Sequence, residues 1–101
     1  MKNEHGVKIT TDELVSIIVK NCPYAIMLDG LDECIIGVHI GLAQTNIIYS
    51  YGRIIHLLMR RDKMSFSDAG EFFDYNIAGL HFPIDVRPYF VRDDFMNPSM
   101  N

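Results

Sequence analysis

Tryptophan is absent from this 101-residue chain, and cysteine occurs only at Cys22 and Cys34. Two cysteines, with no CxxC pair and no Cys/His set at zinc-ligand spacing, give no disulfide scaffold and no structural zinc site. They read as reduced thiols, Cys34 as a small buried apolar residue. Long apolar runs are also missing, since none approaches the roughly 18–20 residues that span a bilayer. The start, Met1-Lys2-Asn3-Glu4-His5-Gly6, contains an acid and lacks the apolar stretch of a secretory signal. The expected address is the cytoplasm, with no membrane partner.

Positive charge is scarce: nine Lys and Arg stand against thirteen Asp and Glu, for a net charge of −4. Tight nucleic-acid binding rests on neutralising phosphates, so no direct nucleic-acid contact is expected. Arg53, Arg60, Arg61 and Lys63, with Asp62 among them, read as a solvated helix end that complements the helix dipole. Phosphate-loop, G-x-S-x-G and complete calcium-loop patterns are all missing. The expectation is a protein that is not an enzyme and carries no cofactor or metal.

What remains is an ordinary globular composition, 49% hydrophobic and 22% charged, enough for one domain with one core. Its bounds are expected at residues 9–92, between loose ends at 1–8 and 93–101. Thr10-Thr11-Asp12-Glu13 is a capping box that starts a helix over 11–20, carrying Leu14, Ile17 and Ile18 on one stripe. Pro23 ends it. Ser50 caps a second helix over 51–61, rich in apolar residues. Ser65-Phe66-Ser67-Asp68 caps a third over 66–78, with Phe66, Gly70, Phe73 and Ile77 inward and Gly79 as a left-handed C-cap.

Strands are expected at Tyr24–Leu28 and Asp32–Ile40, and more briefly at 46–49 and 88–91. Asp29-Gly30 reads as a hairpin turn between the first two, and Gly37 as a bulge. The fold class is therefore α+β: a small antiparallel sheet of three or four strands with about three helices on one face. The expected core is Ile26, Leu28, Ile36, Val38, Ile54, Leu58, Phe73 and Ile77.

Asp29-Gly30-Leu31-Asp32-Glu33 is the one place where acids exceed what a turn requires. Asp29, Asp32 and Glu33 suit a contact surface for a partner. Oxygen ligation of a cation or acid–base work is the less favoured use, and a solvated turn is the plainest reading. Asn76, beside Tyr75 near the end of the third helix, is placed to read a ligand or, more simply, to cap the helix. His39, His56 and Cys34 are more simply core or surface residues than a thiol site.

Four stretches taken together carry a resemblance: Leu28-Asp29-Gly30-Leu31-Asp32 with Ile35-Ile36-Gly37-Val38; the helix over 54–61; Met64-Ser65-Phe66-Ser67-Asp68-Ala69; and Glu71-Phe72-Phe73-Asp74-Tyr75-Asn76-Ile77-Ala78-Gly79. In this order they resemble short proteins of bacteriophages and large DNA viruses, over roughly residues 24–80. Beyond that span Pro88 and the aromatics Tyr89 and Phe90 fit the pattern, whereas a glycine-rich loop with Thr-Pro is replaced. The resemblance implies a phage-type accessory protein and supplies no catalytic residues.

Two functions follow as expectations. The first is non-enzymatic binding that inhibits or redirects a host protein in the host cytoplasm, as a counter-defence factor does, with the acidic turn and the exposed residues of segment 80–95 as the contact surface. The alternative is a small-molecule or nucleotide-binding protein, open to homo-oligomerisation, with a pocket between Asp29–Glu33 and Asn76.

Overall fold

The computed structural model describes residues 10–42 and 45–93; the ends expected to be loose lie outside these residues, apart from Asp93. The chain runs through helix α1 (Thr11–Asn21), a 3-10 turn at Asp32–Cys34, strands β1 (Ile35–Ile40) and β2 (Thr45–Ser50), and helices α2 (Tyr51–Arg61) and α3 (Phe66–Phe73). A π-helical segment over Asp74–Ala78 and strand β3 (Tyr89–Val91) complete it. Among the described residues this is an α+β fold with three α-helices and a three-stranded sheet.

The helix starts follow local chemistry. The Thr10 hydroxyl accepts from the Glu13 N–H while the Glu13 carboxylate accepts from the Thr10 N–H, closing the capping box. Ser50 Oγ accepts from the Arg53 N–H and Ser65 Oγ from the Asp68 N–H. In α2, Ile54, Ile55, Leu57 and Leu58 are buried, while Arg53, His56 and Arg60 are exposed, the amphipathic division a core-facing helix needs.

Strand order is β1-β2-β3. β1 and β2 pair antiparallel, with a register irregularity between Ile35 and Gly37 that matches the expected bulge. β2 and β3 pair parallel, Ile48 opposite Tyr89 and Tyr49 opposite Phe90. The sheet is thus mixed, where an antiparallel one was expected. The reason is the connection: α2, α3 and the following chain carry residues 51–88 from the end of β2 back to its start, the long crossover that parallel pairing requires.

The expected strand Tyr24–Leu28 does not form. Leu28 to Leu31 makes a turn closed by the Leu31 N–H on the Leu28 carbonyl at 3.3 Å, with Gly30 at φ +78°. A type I′ hairpin turn needs positive φ at both central residues, but Asp29 has none, because Lys63 is the only non-glycine at positive φ among the described residues. The chain therefore enters the 3-10 turn instead of folding back, and Asp32 begins that turn and not a strand.

These differences move the core. Ile54, Leu58, Phe73 and Ile77 are buried as expected, whereas Ile26, Leu28, Ile36 and Val38 are only half-buried. The bulge leaves Ile35 as the inward residue of β1. β2 sits between two strands and buries Asn46, Ile47, Tyr49 and Ser50. Phe66 is exposed and Ala69 takes the inward place. Gly79 lies at φ −77°, not left-handed. A Cβ there would stand 3.0 Å from the Asp74 carbonyl oxygen and 3.1 Å from that of Tyr75, so close approach, not handedness, requires the glycine.

The acidic turn and the buried polar anchors

The acidic turn lies against the basic end of α2. Arg61 donates to the Gly30 carbonyl at 2.8 Å, and Arg60 meets Glu33 at 3.4 Å across the surface. From inside, the Tyr49 hydroxyl accepts the Leu28 N–H at 2.7 Å. The backbone is thus fixed before and within the turn, while the carboxylates of Asp29 and Asp32, both exposed residues, make no hydrogen bond or ion pair among the described residues. Arg61 also binds Asp62 through two hydrogen bonds, which raise the Arg61 pKa and hold the Asp62 carboxyl below its usual range.

Two weak acids are buried behind these carboxylates. Cys34 is pushed up to about 11, chiefly by burial and next by the charge of Glu33, with Arg53, Arg61 and Arg60 opposing. Tyr49 is raised above its ordinary value, again by burial first; the hydrogen bond from Leu28 opposes this, and Asp32 and Asp29 add to it. Neither group supplies a reactive anion near neutral pH. Cys34 is a fully buried apolar residue, while Cys22 is half-buried.

Asn76 and Tyr75 occupy the π-helical segment, both exposed. The Asn76 side chain makes no capping hydrogen bond among the described residues. It lines a shallow depression of about 400 Å³ with Tyr75, Met64 and Glu71. Glu33 lines a separate one with Thr10, Ile36 and Arg53. The turn acids and Asn76, expected to share a pocket, line no common cavity among these depressions. His39 approaches Asn46 through Nδ1 and packs on the Tyr89 ring, while His56 is exposed on α2. Among the described residues no three His, Cys, Asp or Glu side chains cluster to hold a metal ion, and no helix is long and apolar enough to cross a membrane.

Sequence reasoning missed Asn46 and Asp93. Asn46 is completely buried; its Nδ2 donates to the carbonyls of Arg87 at 2.9 Å and Asp85 at 3.4 Å, and its Oδ1 lies 3.2 Å from His39 Nδ1. Asp93, expected to open a loose terminus, accepts from Ser50 Oγ at 2.6 Å and from the Gly52 N–H at 2.9 Å. Its carboxylate thereby sits at the start of α2, where unpaired N–H groups favour negative charge. Beside it, the Arg92 guanidinium stacks 4.4 Å from the centre of the Tyr51 ring. The one available signal was a polar residue inside an apolar strand run, Asn46 before Ile47-Ile48, which needs buried partners.

No family model, curated protein or solved structure matches this chain.

Proposed function

We propose that the chain is a phage-type accessory protein that acts without catalysis, binding a host protein through the acidic turn Asp29–Glu33 and thereby inhibiting or redirecting it. The observation that carries this reading is the contrast within the turn. Its backbone is fixed by Tyr49 and Arg61, yet the carboxylates of Asp29 and Asp32 are exposed and have no partner among the described residues. Such acids are presented at little further cost in ordering. They favour encounter with a basic partner surface through complementary potential, and the chain's net charge of −4 acts in the same direction.

The test is capture from lysates of candidate bacterial hosts, with wild type beside Asp29→Lys/Asp32→Lys. A stoichiometric partner that weakens with added salt and is lost by the variant is the expected result. A partner held equally by the variant, or no partner at all, overturns the reading. Circular dichroism of the variant should match wild type, since neither acid has a bonding role in the fold.

A further inference from the structure

A second concave site has the opposite chemistry. A cleft of about 340 Å³ opens between the end of the π-helical segment and the chain leading into β3, lined among others by Gly79, His81 and Phe82 on one side and by Arg87, Pro88 and Phe90 on the other. Among the described residues no Asp or Glu lines it. His81 and Arg87 are both exposed, and neither side chain has a hydrogen bond or ion pair among the described residues. By contrast, Arg60, Arg61 and Arg92 are engaged with Glu33, with Gly30 and Asp62, and with the Tyr51 ring. Among the described residues the cleft therefore gathers two donors and no carboxylate.

Both walls are fixed from behind. The Arg87 carbonyl is bound by the buried Asn46, so the backbone that carries the guanidinium is anchored to β2. Pro88 is buried, and the Phe90 ring packs against Tyr49 at 5.9 Å and Phe73 at 5.0 Å between centroids. Opposite, Gly79 allows the close approach to the Asp74 and Tyr75 carbonyls that ends the π-helical segment.

The lining therefore divides into a donor pair and an apolar body. A guanidinium offers a planar fork that matches carboxylate or phosphate oxygens, and imidazole adds one more N–H. Phe82, Pro88 and Phe90 supply apolar lining of the kind that a flat ring packs against. The cavity lies at the small end of ligand pockets, which suits one ring with one anionic group. We propose that this cleft binds a small planar anion, a ring bearing a single phosphate or carboxylate, with Arg87 and His81 donating to the anionic group and Phe82 with Pro88 enclosing the ring. The site is independent of the acidic turn, since Asp29, Asp32 and Glu33 do not line it.

The test is a titration of the full chain, followed by amide chemical shifts. The probes are a nucleoside monophosphate, its uncharged nucleoside, benzoate and inorganic phosphate. The expected result is saturable binding of the nucleotide or of benzoate, with shifts confined to residues 78–90. The nucleoside and inorganic phosphate should each bind at least about tenfold more weakly than the best ringed anion, because each lacks half of the recognised chemistry. Whether nucleotide or benzoate wins decides between phosphate and carboxylate. Arg87→Gln should weaken binding by about tenfold or more while leaving the spectrum elsewhere unchanged; His81→Gln, with one donor retained, should weaken it less. Equal binding of nucleoside and nucleotide, shifts centred elsewhere, an unaffected Arg87→Gln, or no saturation by any probe overturns the proposal. Asp29→Lys/Asp32→Lys should leave this binding intact, so the two readings fail separately.

Discussion

Between residues 28 and 33 the backbone is fixed by two distant side chains while the turn's own acids face water: Tyr49 accepts the Leu28 N–H and Arg61 donates to the Gly30 carbonyl. Between 85 and 93 the anchoring comes from inside the sheet. Asn46 and Ser50, both fully buried on β2, hold the carbonyls of Asp85 and Arg87 and the carboxylate of Asp93. The first region is conspicuous in sequence and tied by two backbone hydrogen bonds, one of them at the surface; the second is inconspicuous and tied by the buried side chains of β2. Charge density in a sequence therefore marks where a surface is polar, whereas a polar residue inside an apolar strand marks where the fold ties distant chain together. The two regions should accordingly respond very differently to single substitutions.

The largest effect is expected from Asn46→Leu, which removes the buried amide that ties the carbonyls of Asp85 and Arg87 to β2 and should cost about 1–3 kcal/mol. The measurement is the urea midpoint, together with amide exchange of residues 83–90, which should accelerate ahead of the core helices. An unchanged midpoint would mean that the tail is held by Phe90 packing and not by Asn46. Next comes alkaline loss of stability. Cys34 is pushed up to about 11 from an ordinary value of 9.0, and Tyr49 is also raised. Folding keeps both groups protonated, so between about pH 9 and 11 the unfolded chain releases protons first and stability falls as pH rises. Thermal unfolding from pH 8 to 11 should show a falling midpoint, and a flat profile would mean that neither group is shielded. In the same window Cys22 should react with a thiol reagent well before Cys34.

Smaller still is Tyr49→Phe. It keeps the ring that packs on Phe90 and removes only the acceptor of the Leu28 N–H, for an expected loss of about 1–1.5 kcal/mol. Faster amide exchange at residues 28–31 with an unchanged tail would mark the turn as separately anchored. Loosening of both regions together would instead make them one cooperative unit.

The helices and their caps could be read because their determinants lie within four residues of each other: Thr10 with Glu13, Ser50 with Arg53, Ser65 with Asp68. The bulge at Gly37 and the short strand near Pro88 were readable for the same reason. The route of residues 24–34 was not, because Asp29-Gly30 serves a turn with one positive φ as well as a hairpin with two. Tyr49 and Arg61, whose bonds accompany the observed turn, lie 21 and 31 residues from their partners. Parallel pairing of β3 depends on the path of the whole crossover. The cleft at His81 and Arg87 was invisible for a related reason, since Asn46, which fixes its far wall, is 41 residues from Arg87.

The least effect on stability should come from Glu33→Gln. The Glu33–Arg60 pair spans 3.4 Å with side chains 55% and 69% exposed, and ion pairs that wet contribute little, so the urea midpoint should not move measurably. The charge nevertheless acts through the field: Glu33 is the second cause of the raised Cys34 pKa. Removing it should let the buried thiol titrate at slightly lower pH, read as thiolate absorbance near 240 nm. High salt should shrink that difference, because it is a charge effect near the surface. A salt-insensitive change would instead mean that the 3-10 turn over Cys34 had opened. An unmoved titration would show that burial alone sets the thiol. In that second case Glu33 would have no effect on the core beneath it, which would sharpen the view that it is directed outward.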